Sequence, residues 1–334
     1  MTHRALSIFV ALFAIVEFGA AQTANQPAST SASQTAATTT TTLPKDPKDL
    51  MLLAARVNGL GSPDMKPWHL KANYQTFDAD GNPKDQGVFE EWWANPTKYK
   101  ISYASKGFNQ VEYRDGDKDL VTGDAEMVLL PEEMIQDYLV NPLPGVKDLE
   151  PLRYSSTSKM FGPVKLKCVE PTHLKSTLTI QLAKYYCFSQ KIAVIRMENL
   201  GGSFDVIFNG IAVAGGHFIA NQISVGNANV PLLSVTVTNM DFPTKMDDAI
   251  FVAPASAIPV SPIRIKPQEL AGRRIGGKDV LYPSDAKLKR IQGLVMLECD
   301  ISKAGDVVDL RVVSGPKELQ QSSYDAVKTW KYKP

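Results

Sequence analysis

The last fifty residues alternate apolar and polar positions in a way that predicts two strands followed by a helix. One face of the first strand, at the period of two that a strand shows, comprises Val295, Leu297, Cys299 and Ile301. Gly305 supplies the positive φ that a tight turn requires, and 307–313 follows as the second strand. Beyond Pro316 one helical face comprises Leu319, Ser323, Ala326, Val327 and Trp330. We expect this mostly apolar face to lie across the hairpin.

The longer region from 46 to 252 is dominated by the same period of two. A helix comes first, because Asp46 is a good N-cap, Pro47 suits the first helical position and Gly59 can end it. Strands are predicted at 68–76, 88–93, 99–103, 110–114, 118–122, 165–169, 184–188, 193–197, 204–208, 216–225 and 232–238, with a short helix at 131–139. Many strands with few helices predict an α+β fold in which a large antiparallel sheet curls around helices.

The first 21 residues have the pattern of a secretory signal peptide. The basic pair His3-Arg4 precedes an apolar run at 5–18, and 19–21 offers small residues for cleavage before Gln22. The run is shorter than the ~20 residues that span a bilayer, and Glu17 is costly inside one. Cleavage and a periplasmic location are therefore favoured, with an uncleaved inner-membrane anchor as the alternative.

Shifts in composition divide the rest of the chain. Residues 22–45 are rich in Ser, Thr and Ala and cannot bury enough surface to offset their ordering entropy, so they are predicted to be a disordered linker. A β-rich domain at 46–252, a Pro-rich linker at 253–268 and a small C-terminal domain at 269–334 follow.

The three cysteines fit an oxidising compartment. Cys168 and Cys187 flank a short connection between two predicted strands, and we expect them to form a disulfide. Closing a loop of that size contributes about 3 kcal/mol in the chain-entropy model. Cys299 is expected to be a free, buried strand residue.

Charge and motifs give little support for chemistry. The 36 basic and 35 acidic side chains give a net charge of +1, which argues against a nucleic-acid partner. No His has a partner at metal-ligand spacing, and no Ser lies in a nucleophile elbow. The segment 272–279 approaches a phosphate-binding loop, but Asp279 stands where Ser or Thr would hold magnesium. We predict no enzyme activity, no cofactor and no metal.

The C-terminal pattern resembles the C-terminal domain of the TonB family. The motif residues, in the family's order, are Tyr282, Pro283, Ala286, Gly293, Val295, Gly305, Val307, Ser314, Gly315, Ala326, Val327, Trp330, Tyr332 and Pro334. The resemblance implies a ββα unit that engages an outer-membrane receptor, or another envelope protein, by β-strand addition.

Two departures from the TonB family qualify that expectation. The family continues past this proline into a final strand that pairs with the receptor peptide, whereas this sequence stops at Pro334, so the exposed edge expected here is the hairpin strand 307–313. The family's energy transducers carry a His in an uncleaved membrane helix, and no His occurs between Arg4 and His69. Classical energy transduction is therefore disfavoured.

The middle region resembles the LolA-like family of outer-membrane lipoprotein carriers. The cues are the early amphipathic helix, the first strand at 70–74, the strand at 87–93 and the hairpin at Arg114-Asp115-Gly116. The resemblance implies a half-open antiparallel β-barrel whose concave apolar face is covered by helices and binds acyl chains or a lipoprotein. Candidate lining residues, each of which also fits an ordinary core position, are Trp68, Tyr74, Trp92, Trp93 and Phe108. The alternative function is therefore a periplasmic carrier of lipid or lipoprotein.

Overall fold

The computed structural model describes residues 4–12, 43–124, 128–173, 183–199, 203–260, 270 and 272–333. The cleavage site, most of the linker predicted at 22–45 and Pro334 lie outside these ranges. The strands are β1 Arg4–Leu12, β2 Trp68–Phe77, β3 Pro83–Asn95, β4 Lys98–Ser105, β5 Asn109–Asp115, β6 Lys118–Gly123, β7 Arg153–Phe161, β8 Val164–Thr172, β9 Lys184–Phe188, β10 Val194–Asn199, β11 Phe204–Ala214, β12 His217–Asn227, β13 Val230–Asp241, β14 Ile258–Pro259, β15 Arg274–Gly276, β16 Gly293–Ile301, β17 Val307–Ser314 and β18 Lys331–Tyr332. The α-helices are α1 Pro47–Val57, α2 Leu130–Ile135, α3 Val146–Leu149, α4 Ser284–Leu288 and α5 Lys317–Val327.

Within the described residues, thirteen strands form one antiparallel sheet. Its order is β14-β6-β5-β4-β3-β2-β13-β12-β11-β10-β9-β8-β7, so the pairing of β2 with β13 joins the two halves of the chain. Side chains alternate along β2 as its sequence predicts, with Leu70 and Ala72 buried and Lys71 and Asn73 exposed.

Helices pack on one face of the large sheet. The α1 helix begins where predicted, since the Asp46 carboxylate accepts hydrogen bonds from the amides of Lys48 and Asp49. Helix α2 continues as a π-helical turn, Gln136–Val140. Helix α2 and this turn add side chains to the core that also holds Trp68 and Phe89, and these are Leu130, Met134, Ile135, Tyr138, Leu139 and Val140.

The C-terminal unit is the predicted hairpin with a helix across it. The buried core of this unit comprises Leu270, Ala286, Val295, Leu297, Cys299, Leu319, Val327 and Tyr332. Trp330 lies beyond the end of α5 instead of on its face, because the helix ends at Val327 and the chain turns there. The expected α+β class, with a large antiparallel sheet followed by a small ββα unit, is confirmed.

Two segments differ from the expectations. Ile258 and Pro259, inside the predicted Pro-rich linker, pair with Val121 and Leu120 at the edge of the large sheet, so this part of the linker is anchored. Arg4–Leu12, inside the predicted signal peptide, is a strand that pairs with β16. No helix among the described residues combines the length and apolar character needed to span a membrane.

Candidate functional site

Strand β16 is packed on both faces and connects the two parts of the protein. Its odd-numbered side chains, such as Val295 and Leu297, pack with Leu319 of α5 in the C-terminal core. Its even-numbered side chains Leu294 and Met296 belong to the core of the large sheet. The C-terminal unit is therefore docked on the large sheet through the strand that carries its own core.

Hydrogen bonds from the turns of the large sheet fix this junction. The fully buried Asn227, at the end of β12, donates through Nδ2 to the Leu294 carbonyl oxygen and to Ser314 Oγ, each at 2.9 Å. The amide of Leu294 donates to Ser203 Oγ at 3.3 Å. Lys317 Nζ lies 3.3 Å from Asp80 Oδ1 in the turn between β2 and β3.

An open cleft of about 570 Å³ lies along the same junction. Its lining comprises Ala79, Asp80, Ser203, Ala228, Asn229, Val230, Ile291, Gln292, Gly293, Gly315, Pro316, Lys317 and Glu318. Both parts of the protein contribute to this lining, so a change in their packing would alter its shape.

The two strands of the C-terminal hairpin present different edges. The edge of β16 pairs with β1 from Ile301 through Gly293, nine consecutive antiparallel positions without a register shift. The pairing of β17 with β16 is irregular and shifts register twice. Asp309 in β17 has a φ of +47°, and no described strand lies beyond β17. A regular edge is the better template for another strand, because a bulged edge twists out of the sheet plane.

Carboxyl groups near the junction are shielded from solvent. Arg311 Nη2 of β17 lies 2.7 Å from Glu298 Oε2 of β16, and the Glu298 side chain is 6 % exposed. Burial raises the pKa of Glu132, at the start of α2, to about 7, and the charge of Glu298 adds to that shift. Burial also raises the pKa of the Cys299 thiol well above its usual range, so this free cysteine is protonated and unreactive at neutral pH.

The TonB-motif residues take structural positions around the hairpin. The Tyr282 hydroxyl donates to the Ile291 carbonyl oxygen, Pro283 immediately precedes α4, and Ala286 within that helix is fully buried. The glycines and valines of the motif mark strand ends and core positions, and they comprise Gly293, Val295, Gly305, Val307, Gly315 and Val327.

Trp330 closes the other end of the unit. Its indole Nε1 donates to the Lys278 carbonyl oxygen at 2.7 Å, and the Arg274 guanidinium lies 4.4 Å from its ring centroid. The partly buried indole packs on the C-terminal core beside Tyr332, at a centroid distance of 6.5 Å. The motif side chains therefore stabilise the fold of the unit, and the groups available to a partner are the backbone amides and carbonyls of a strand edge.

The candidate lipid-lining residues do not all share one face. Trp68, Tyr74, Trp93 and Phe108 are buried in the main core, where Trp68 and Trp93 stack at a centroid distance of 5.8 Å. Trp92 points to the opposite face, because neighbouring strand residues alternate, and it stacks on His69 at 3.6 Å. The inclusion of Trp92 in the concave lining was therefore wrong.

A buried carboxyl group on the core face of the sheet was not singled out from the sequence. Glu91 lies in phase with Phe89 and Trp93 on β3, and its Oε2 accepts a hydrogen bond from Gln136 Nε2 at 2.8 Å. Burial, and then the charge of Glu112, raises the pKa of Glu91 well above its usual range. The sequence contains a sign of this burial, since Glu91 occupies a position of the strand at which the alternating residues are apolar.

The described residues contain no group of three or more His, Cys, Asp or Glu side chains that could hold a metal ion. Cys168 and Cys187 form a disulfide between directly paired positions of β8 and β9.

Comparison with known proteins identifies the C-terminal unit. Residues 278–334 match the family model described as Gram-negative bacterial TonB protein C-terminal, which confirms the resemblance seen in the sequence. No curated protein matches the chain.

Several solved structures are similar to this chain. A LolA superfamily protein from Nitrosomonas europaea has a TM-score of 0.42 and 10% identity, over 62% of this chain and 98% of that one. A DUF1329 family protein from Desulfovibrio piger has a TM-score of 0.41 and 12% identity, over 62% and 95%. MucB has a TM-score of 0.31 and 8% identity, over 75% and 74%.

Proposed function

We propose that this is an exported, non-enzymatic protein of the cell envelope whose C-terminal unit binds a protein partner by accepting a strand on the edge of β16. The partner is an extended periplasmic segment of a TonB-dependent outer-membrane receptor. The observation that carries the proposal is the match of residues 278–334 to the TonB C-terminal family, combined with the regular edge of β16.

The pairing with β1 supports β16 as the docking edge. Arg4–Leu12 occupies that edge over nine positions, so the geometry accommodates an extended peptide of this length. These residues belong to the predicted signal peptide, and their removal on export would leave the edge unpaired. A receptor segment would then form the same ladder, in which backbone hydrogen bonds supply affinity and alternate side chains supply selectivity.

The packing of β16 favours binding by keeping the strand rigid. Leu294 and Met296 hold it from one side, Val295 and Leu297 from the other, and Asn227 fixes the Leu294 carbonyl. A preorganised strand has little conformational freedom left to lose on association, so more of the ladder energy appears as affinity.

The test uses synthetic peptides from the N-terminal periplasmic segments of the TonB-dependent receptors encoded in the same genome. Fluorescence anisotropy would measure binding to the exported chain, after mass spectrometry has established its first residue. We expect at least one peptide to bind the exported chain. An Ala21→Arg precursor, which keeps residues 1–21 because its cleavage site lacks a small residue, should bind it at least tenfold more weakly.

Two results would remove the proposal. One is the failure of every receptor peptide to bind the exported chain, and the other is equal binding by exported chain and precursor. A mature chain that begins at Met1 would instead favour the anchored alternative.

A second candidate function is acyl-chain binding by the middle region. The concave aromatic residues Trp68, Tyr74 and Trp93 are covered by an apolar segment, α2 with its π-helical turn, which a polar contact from Gln136 to Glu91 ties to the sheet. We expect a fluorescent fatty acid to bind saturably and to quench tryptophan emission. Absence of both uptake and co-purifying acyl chains would eliminate this candidate.

A further inference from the structure

The hairpin formed by β7 and β8 concentrates positive charge in a nearly neutral protein. The whole chain has a net charge of +1, yet the hairpin has four basic side chains and one acidic one, Glu170, which lies in β8 away from the tip. The basic residues of this segment are Arg153, Lys159, Lys165 and Lys167. Since charges elsewhere are mixed, the hairpin is a locally cationic projection.

The tip of the same hairpin is apolar and exposed. Met160 is 61% exposed and Val164 52%, on either side of the Gly162-Pro163 turn. Lys165 pairs with Met160 across the hairpin, and Lys159 directly precedes it in β7. Apolar side chains therefore lie at the end of the hairpin, with lysines one step behind them on both strands.

The tip lies on the opposite rim of the large sheet from the C-terminal unit. Successive connections in an antiparallel meander alternate between its two rims. The connection from β10 to β11 ends at Ser203, which contacts Leu294 of the C-terminal unit. The turn from β7 to β8 is three connections earlier. Because three is an odd number, this turn lies on the opposite rim of the sheet.

The hairpin is fixed to its neighbours along its length, by a disulfide in β8 and by two ring contacts near its tip. The Cys168–Cys187 disulfide ties β8 to β9, Lys159 Nζ lies 3.4 Å from the Tyr185 ring centroid, and the Arg196 guanidinium lies 4.5 Å from that of Phe161. These contacts hold the projection in place, so its apolar end stays presented to the surroundings.

We propose that the tip of the β7–β8 hairpin is a second interaction surface that binds an anionic phospholipid bilayer. Met160 and Val164 would enter the boundary between headgroups and acyl chains, and the exposed Lys165 would lie at the level of the phosphates. Each basic residue near an anionic membrane adds to the attraction, and exposed apolar side chains add the insertion that charge alone lacks.

The order of groups along the hairpin favours a bilayer over a soluble polyanion. A bilayer carries charge at its surface and acyl chains beneath it. The hairpin carries lysines behind an apolar tip, so an inserted tip would reach the acyl chains while the lysines stay at the charged surface. A soluble polyanion would use the lysines and leave Met160 and Val164 in water. Sensitivity to both kinds of substitution therefore distinguishes the two.

Vesicle sedimentation tests the proposal on the exported chain with its intact disulfide. Binding should be strong for vesicles with about one third phosphatidylglycerol, weak for pure phosphatidylcholine, and reduced by salt. We expect Met160→Ser combined with Val164→Ser, which removes the apolar side chains without changing the charge, to lower the partition coefficient at least tenfold. Lys165→Glu should lower it about fivefold or more.

Matched controls lie on the C-terminal unit. Leu288→Ser changes a side chain that is 82% exposed, and Lys303→Glu changes an exposed turn lysine, so neither should alter vesicle binding. Near-ultraviolet circular dichroism checks that each variant is folded.

Three outcomes would overturn the membrane assignment. They are failure of the wild type to bind anionic vesicles, tip variants that bind like the wild type, and retention on a soluble polyanion without vesicle binding. Binding of receptor peptides should be unchanged in the tip variants, so this proposal and the docking proposal can fail separately.

Discussion

Asn227 Nδ2 lies 2.9 Å from the carbonyl oxygen of Leu294, a hydrogen bond that joins the last residue of β12 to the proposed docking strand. The same amide reaches Ser314 Oγ, so one side chain holds both strands of the C-terminal hairpin. The two parts of the protein are therefore coupled through a buried contact, although the Pro-rich composition between them suggested a simple spacer.

Asn227→Ala should loosen this junction. The Leu294 carbonyl would lose a partner while it remains buried, which costs about 1–3 kcal/mol. We expect a lower denaturation midpoint and earlier proteolytic cleavage near 253–268. Asn221→Ala, at an exposed position of the same strand, is the control and should leave both unchanged. Equal behaviour of the two variants would show that the contact does not hold the junction.

Gly305→Ala should destabilise the C-terminal unit more than a glycine substitution in an open turn. Gly305 has a φ of +84°, and a Cβ there would collide with the Tyr332 carbonyl oxygen. Gly116 has a φ of +61° with nothing within 4 Å of an added Cβ, so Gly116→Ala costs only about 1 kcal/mol of strain. We expect the free energy of unfolding, measured in urea, to fall at least roughly twice as much for Gly305→Ala as for Gly116→Ala. Equal losses of stability would mean that the close approach of Gly305 to the Tyr332 carbonyl oxygen does not matter for folding.

The pH dependence of stability should contain a contribution from Glu132. Burial raises its pKa from 4.5 to about 7 in the folded protein, so the folded state binds the proton more tightly than the unfolded state. This contribution is therefore fully present below about pH 4.5 and is lost as pH rises through 7, by up to about 3 kcal/mol. Glu132→Gln should flatten the unfolding profile between those limits.

The control for this titration is Glu150→Gln, at an exposed position. It should reproduce the wild-type profile over the whole range. A Glu132→Gln protein with the wild-type slope would show that this carboxyl group titrates normally.

Loss of the disulfide should weaken the sheet without affecting the docking edge. Cys168 and Cys187 close a loop with a sequence separation of 19, which contributes about 3 kcal/mol in the chain-entropy model. The double Ser variant should melt several degrees lower in calorimetry, since each 1 kcal/mol shifts Tm by roughly 2–4 °C in a domain of 150–250 residues. Receptor-peptide affinity should stay the same, and a parallel loss of binding would contradict the separation of the two regions.

The sequence was most informative where one face of an element is buried. The alternation of β16, the N-cap of α1 and the strand 184–188 all appear where the pattern predicts them. The strand β7 was not predicted, because Arg153–Phe161 is rich in Ser and Thr and its partly exposed edge position imposes no apolar phase. The anchoring of Ile258-Pro259 was also hidden, since proline suits a linker and a sheet edge equally well.

Side-chain direction and long-range partners were beyond the sequence pattern. Trp92 and Trp93 are chemically identical neighbours, and only the register of β3 decides that Trp93 enters the core while Trp92 covers His69. The sequence around Asn227 is typical of a turn and gives no sign of a special role. That role depends on the contact with β16, which lies far along the chain. Packing between distant segments decided both cases.

Amide hydrogen exchange on the exported chain tests the central claim most directly, with and without a receptor peptide that binds. We predict slowed exchange at alternate amides of Gly293–Ile301, those that face the open edge, with little change in Val307–Ser314. Protection confined to Val307–Ser314 or to the large sheet would contradict strand addition at β16.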